Sequence, residues 1–232
     1  MKHTAIVLAG GKGSRMQSDI PKQYMEIEGS TVLFYSLKQF QDCSLIDEIV
    51  LVAGKEDLEF CKETYIKKHG LTKIKQIVCG GSERYESVMN GLMMVDEGYV
   101  YIHDGARPCI TEDLINALYE DVKKYSATVA AVPVKDTVRI SDDMHNTVET
   151  PKRSNVWLIQ TPQAFETGLI KQAYAKMQYG GTGKTITDDA MVIEEFTNVR
   201  VHLTYGDYLN IKITTPEDLD VAKGFLKKLK KF

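Results

Sequence analysis

The chain has 232 residues, enough to bury a full core, and its 43% hydrophobic and 26% charged content is ordinary for a globular protein. A formal net charge of −3 argues against a general nucleic-acid binder, which needs a basic excess to displace counterions. No apolar run approaches the ~20 residues of a membrane span. The first residues pass into an apolar strand without a leader and cleavage site, so the expected location is the cytoplasm.

Ala5 to Ala9 is wholly apolar and predicts a buried first strand, which breaks into Gly10, Gly11 and Gly13. Glycines at a strand end present bare backbone N–H groups to an anion. Arg15 and Lys22 follow, so the loop reads as a polyphosphate cradle rather than a plain turn. It matches neither the dinucleotide fingerprint, because Met16 stands where a third glycine belongs, nor the Walker pattern, because no Gly-Lys-Ser/Thr closes it. A nicotinamide site would also need an acidic residue about 20 positions on. That window holds Leu33 and Phe34 in a helical run.

Amphipathic segments at Val32–Phe40, Glu56–Lys68, Glu83–Val95 and Glu112–Tyr125 alternate with apolar strands at Ile49–Ala53, Ile74–Cys79, Tyr99–His103 and Ala127–Pro133. This order predicts an α/β fold, a Rossmann-like, doubly wound and mostly parallel sheet covered by helices on both faces. Ligands of such sheets bind at the carboxyl ends of the strands. That rule selects Gly10–Arg15, then Gly80, Gly81 and Ser82, then Asp104 to Arg107. A carboxylate such as Asp104, beside bound phosphates, is suited to hold Mg²⁺.

From about 135 to 156 the pattern changes to short alternating pieces, Thr137–Ile140 and Thr147–Val148, around the polar turn Ser141–Asn146. This predicts a protruding β-hairpin arm on one single domain spanning 1–232. An arm that cannot cover its own apolar side is expected to dock on a second copy of the chain. Trp157 is expected in the core, and Thr161, before Pro162, has a hydroxyl placed for a ligand. Gly180–Thr185 imitates a P-loop, but the position that should open the motif is Gln178, so a surface loop is expected. Helices are expected at Glu166–Met177 and Asp188–Phe196, with Thr185 and Thr187 as possible caps of the latter. Strands are expected at Val199–Thr204 and Leu209–Ile213, and a last helix opens at Thr215-Pro-Glu-Asp218. Lys212, in the apolar run Asn210–Thr214, needs an anion or an exposed edge. The cysteines Cys43, Cys61, Cys79 and Cys109 are too dispersed for a zinc or disulfide framework and read as buried free thiols. Arg15, Lys22, Arg107, Arg153 and Lys212 are more cations than one nucleotide needs, which suggests two phosphorylated substrates.

These pieces together resemble the 2-C-methyl-D-erythritol 4-phosphate cytidylyltransferase family of the nucleotidyltransferase superfamily. The resemblance runs nearly end to end. It is carried by Ala-Gly-Gly-x-Gly-x-Arg with Lys-Gln, Gly-Gly-x-x-Arg with Ser87, His-Asp-Gly-Ala-Arg-Pro, Val-Pro-Val-Lys-Asp-Thr, Arg-x-x-x-Trp-x-x-Gln-Thr-Pro-Gln-x-Phe and Asn-Ile-Lys-Ile-Thr. It implies transfer of a cytidylyl group from CTP to a sugar-alcohol phosphate with Mg²⁺, in a homodimer. Arg15, Lys22, Arg153 and Lys212 would be catalytic. Ala9, Gly10, Gly11, Gly81, Ser82, Ser87, Asp104 and Gly105 would hold CTP, with Asp104 also on the metal. Arg107, Thr137, Arg153, Thr161 and Lys212 would surround the acceptor, Thr137 and Arg153 reaching across from the other subunit. The Ala-Gly-Gly loop occurs also in pentitol-phosphate cytidylyltransferases, which are the alternative. Asp104-Gly-Ala-Arg and Asp136-Thr137 resemble the erythritol-phosphate enzymes more.

Overall fold

A computed structural model describes residues 1–11, 20–180 and 185–230. Strand β1 (His3–Ala9) is buried almost throughout, because helices cover both faces of its sheet. Its alternation divides the core in two. Ala5, Val7 and Ala9 pack with Leu33, Leu37 and Phe40 of α1 (Val32–Asp42) and with Leu114 and Leu118 of α4 (Glu112–Tyr125). Ile6 packs on the other face, with Val88 and Leu92 of α3 (Arg84–Leu92), Ile170 and Tyr174 of α5 (Thr167–Gly180), and Val192 and Ile193 of α6 (Asp189–Phe196).

The chain adds β4 (Glu48–Ala53) and β5 (Ile74–Cys79) parallel to β1 on one side, after the small β2 (Glu26–Ile27) and β3 (Ser30–Thr31) pair. It then returns to place β6 (Tyr99–Asp104) parallel on the other side of β1. That reversal opens a crevice at the carboxyl ends of β1 and β6, where α/β sheets bind ligands. Beyond β6 lie β10 (Trp157–Glu166), β7 (Ala127–Pro133) and β11 (His202–Tyr205), giving the order β11-β7-β10-β6-β1-β4-β5. Helix α7 (Glu217–Lys228) packs Ala222 and Leu226 against Val32, Tyr35 and Ile213.

Most expected elements are present, and the corrections have physical causes. Trp157–Glu166, not expected as a strand, is β10, antiparallel to both β6 and β7. Pro162 would be costly in a regular central strand, but the β10–β7 register breaks between Ile159 and Gln163, where no ladder bond is required of it. Leu209–Ile213 is not a strand: it runs irregularly, tied by Ile213 N–H to the Ala106 carbonyl at 2.9 Å. The segment expected as a helix over Glu56–Lys68 is a composite of 3₁₀ turn Lys55–Asp57, α2 (Leu58–Cys61) and π-helix Lys62–Lys68. Trp157 is not core but half-buried, its ring edge-on to Tyr205 on an otherwise exposed surface. The cap of α6 is Asp188, accepting from Met191 N–H at 2.9 Å, rather than Thr185 or Thr187. Cys43, Cys61 and Cys109 are buried free thiols, while Cys79 is only half-buried.

The hairpin is shorter than expected: β8 (Ile140–Ser141) pairs with β9 (Thr147–Glu149), and Thr137 to Arg139 lie outside it. The Asp142 carboxylate closes its turn by accepting from Met144 N–H at 3.0 Å and Asn146 N–H at 2.8 Å. Ile140, Met144 and Val148 are all exposed, so the hairpin leaves these apolar side chains uncovered by its own chain.

Candidate active site

The crevice holds a cavity of about 310 Å³ at the ends of three strands. From β1 it is lined by Leu8 to Gly11, from the turn after the glycine loop by Lys22 and Gln23, and from the β5–α3 junction by Gly81 to Arg84 and Ser87. Asp104, Ala106, Lys212 and Thr214 complete it. Arg15 and Lys184 lie outside the described residues. Gln23 is buried and ties the glycine turn down: its Nε2 donates to the carbonyls of Ala9 at 2.7 Å and Gly11 at 3.0 Å.

The second glycine turn is organised by Glu86. Its carboxylate accepts from the Ser82 N–H and hydroxyl, each at 2.7 Å, and from Glu83 N–H at 3.2 Å. Ser87 Oγ accepts from Gly81 N–H at 3.1 Å. A Cβ on residue 81 would stand 2.3 Å from Glu86 Cβ, so this close approach requires glycine.

At the end of β6, Asp104 sits among three cations. Lys212 Nζ is 2.8 Å from Oδ2, Arg107 Nε 3.9 Å from Oδ2, and Arg84 Nε 3.7 Å from Oδ1. Burial alone would raise the Asp104 carboxyl, but the charges of Lys212, Arg84 and Arg107 hold it well below the usual carboxylate range. The anion that Lys212 requires is therefore Asp104, although no strand carries the lysine. Gly105 allows the turn to approach β1: a Cβ there would lie 2.9 Å from the Leu8 carbonyl.

Arg84, given no role on the sequence, is the best-anchored cation of the site. Its guanidinium makes two parallel bonds to Asp189, Nη1–Oδ1 at 3.0 Å and Nη2–Oδ2 at 2.7 Å. Asp189 is fully buried in the first turn of α6 and also accepts the Tyr174 hydroxyl at 2.6 Å. Gln163 Oε1 accepts from the backbone N–H groups of Asp189 and Ala190, both at 3.0 Å. Burial works against the charge on Arg84, but Asp189 and Asp104 outweigh it and raise its proton affinity. Arg107, without such a partner, is lowered by burial despite Asp104.

Other expected site residues take different positions. Arg107 turns inward and donates from Nη1 to the Asn210 carbonyl at 2.8 Å instead of lining the cavity. Thr161 is buried, its hydroxyl accepting from Asp104 N–H at 3.0 Å and lying 3.1 Å from His103 Nδ1. Thr137 and Arg153 are exposed on the arm side and do not line the cavity. Arg153 Nη1 donates to the Lys135 carbonyl at 3.2 Å.

A doubly wound sheet whose glycine-bearing strand ends meet lysine, arginine and one strongly acidic carboxylate defines a nucleotidyltransferase of the α/β class. The chain belongs to the 2-C-methyl-D-erythritol 4-phosphate cytidylyltransferase family, whose model (IspD) matches residues 3–228. A relative from Lachnospira eligens with that name is 49% identical over 97% of this chain and 99% of its own length. Another, from Lachnoclostridium phytofermentans, is 45% identical over 100% of this chain and 99% of its own. The crystal structure of 4-diphosphocytidyl-2C-methyl-D-erythritol synthase from Anaerococcus prevotii superposes with a TM-score of 0.84 at 36% identity, covering 97% of this chain and 96% of that one.

Proposed function

We propose that the chain transfers the cytidylyl group of CTP to 2-C-methyl-D-erythritol 4-phosphate, a step in making isoprenoid precursors. The acceptor's phosphate oxygen attacks the α-phosphorus, the bond to the β-phosphate oxygen breaks, and pyrophosphate leaves. The observation that carries this reading is the single cavity that joins both glycine turns to Lys22, Arg84, Asp104 and Lys212. No protein nucleophile is required, because the acceptor is already an anion, so the residues work by positioning and by stabilising charge. Lys22, with Arg15 expected beside it, supports the transferring and leaving phosphates. Lys212 and Arg84 supply further positive charge beside Asp104.

Asp104 fits a divalent cation of the Mg²⁺ type. Lys212 contacts only Oδ2 closely, and among the described residues no group of three His, Cys, Asp or Glu could hold an ion without the nucleotide. When bound, the ion would neutralise charge on the phosphates.

The reading includes a homodimer through the arm, each copy lending Thr137 and Arg153 to its neighbour's cavity. The exposed apolar side chains of the hairpin and of Leu158 and Ile159 support it. A cytoplasmic location belongs to the same proposal; no helix among the described residues is long and apolar enough to cross a membrane. The test is pyrophosphate release from CTP with methylerythritol phosphate, ribitol 5-phosphate or no acceptor. Release with the first acceptor is expected. Preference for the pentitol phosphate would reassign the acceptor, and release with neither would overturn the proposal.

A further inference from the structure

The turn that carries Asp104 is pinned at nearly every polar backbone atom. Arg107 N–H closes it on the Asp104 carbonyl at 3.0 Å, Gly105 N–H donates to Leu8 at 2.8 Å, and the Ala106 carbonyl accepts from Ile213 N–H at 2.9 Å. The Gly105 and Arg107 carbonyls share the one hydroxyl proton of Ser36, each lying 3.1 Å from its Oγ. The remaining contacts run through His103, a fully buried imidazole that the proposed chemistry does not use.

Two contacts of His103 select one tautomer of the neutral ring. Nε2 lies 3.2 Å from the Arg107 carbonyl, which can only accept, so Nε2 carries the proton. In the neutral ring Nδ1 then accepts, and the group facing it is the Thr161 hydroxyl at 3.1 Å. That hydroxyl in turn accepts from the Asp104 N–H at 3.0 Å, leaving its own proton for Nδ1. The result is one directed chain: Asp104 N–H to Thr161 Oγ1, Thr161 O–H to His103 Nδ1, and His103 Nε2–H to the Arg107 carbonyl. It begins and ends on the same four-residue turn and passes outside it through the bulge of β10. A buried chain of this kind holds only while every member is satisfied.

We propose that His103 and Thr161 form a positioning relay that sets the Asp104 carboxylate in the cavity, so that His103 acts in the reaction only through Asp104. This deepens the functional reading above and rests on it for its kinetic part. Phe40 meets the imidazole edge-on at 5.3 Å and would meet a phenyl ring equally well, so His103→Phe keeps this contact while removing the relay.

Two measurements test the relay. Nitrogen-15 shifts of the His103 ring in the intact protein at neutral pH should show a protonated Nε2 and an unprotonated Nδ1. The reverse tautomer or a doubly protonated ring would overturn the relay whether or not the protein turns over CTP. The second is a double-mutant cycle of His103→Phe with Asp104→Asn, read as kcat with labelled CTP. His103→Phe should lower kcat by about tenfold or more in the native background and by less than about twofold beside Asp104→Asn. Equal losses in both backgrounds would make His103 merely structural, and kcat within twofold of native in the single variant would remove the role. If His103→Phe does not fold, His103→Asn, which keeps an acceptor towards Thr161, enters the same cycle with the same criteria. Absence of pyrophosphate release by the native protein would indict the functional reading instead, leaving the tautomer to decide the relay.

Discussion

Replacing Asp189 by alanine removes the one buried anion that Arg84 grips with two bonds, and leaves the Tyr174 hydroxyl without its acceptor. Breaking a buried ion pair from one side costs about 3–5 kcal/mol, because an uncompensated charge remains. Here the Arg84 side chain is 30% exposed, so water recovers part of that loss, while Asp189 itself is at 0%. The expected destabilisation is therefore about 3–4 kcal/mol, with the unpaired tyrosine hydroxyl inside that figure. For a chain of this size, it corresponds to a fall in Tm of roughly 6–16 °C. Urea unfolding, followed by far-ultraviolet circular dichroism, measures the loss as a lower midpoint. The double variant Arg84→Met with Asp189→Leu should recover a substantial part of it, since no charge is then left buried. A loss below about 1 kcal/mol in Asp189→Ala would refute the view that this pair anchors Arg84.

On the proposed role of Lys22, whose charge would be used mainly in the transition state, Lys22→Ala should lower kcat by ~10²-fold or more with a smaller change in CTP affinity; a kcat within a few-fold of native would count against that role. Because Lys212, Arg84 and Arg107 outweigh burial and depress the Asp104 carboxyl, its contribution to stability is complete above the ordinary carboxylate range and is lost only as pH falls through the lowered value. Native turnover should accordingly show no acid limb from Asp104 at mildly acidic pH, whereas Lys212→Ala should move such a limb upwards; identical profiles would contradict the pairing. Lys184→Ala should leave turnover nearly intact, and a collapse of CTP binding would move the nucleotide to the Gly180–Thr185 loop. Under the proposed arm exchange, heterodimers of Arg153→Ala with Lys22→Ala protomers have one site with both lesions and one with neither, and should regain about half the native activity per dimer; no recovery would place both residues in the same chain.

The strand ends were legible because apolar runs that stop at glycine or aspartate are a local signal, and the topology rule turns such stops into a site. Gly10, Gly81 and Asp104 meet at one cavity for that reason. Lys212 was legible in a different way: a lysine among apolar neighbours demands an anion, and Asp104 answers it although the strand expected to carry the lysine does not form. Arg84 was legible only as the arginine of the Gly-Gly-x-x-Arg motif, without a role, and Asp189 not at all. They are 105 positions apart, so nothing local in the sequence signals their pairing. Strand β10 was hidden by its own content, since Gln160, Thr161, Pro162 and Gln163 imitate a loop. The polar residues among them are directed to specific partners: Gln160 to the Asp207 carbonyl, Thr161 to Asp104 and His103, and Gln163 to the start of α6.

Of the three cations around Asp104, Arg84 and Lys212 are held in different ways, and the difference has a chemical consequence. Arg84 is bound through a planar fork to a fully buried carboxylate, so moving it towards a ligand would expose Asp189 to an unpaired state. Lys212 has a single 2.8 Å contact, a flexible stem and a side chain that is 37% exposed. Exchanging Asp104 for a phosphate oxygen would therefore cost Lys212 little, provided Asp104 finds another positive partner. In the proposed reaction Arg84 is a fixed charge in the wall, and Lys212 is the cation able to follow a phosphate from binding to transfer. On that reading mobility near the reacting groups belongs to the lysine, and rigidity to the arginine and to the pinned turn beneath Asp104.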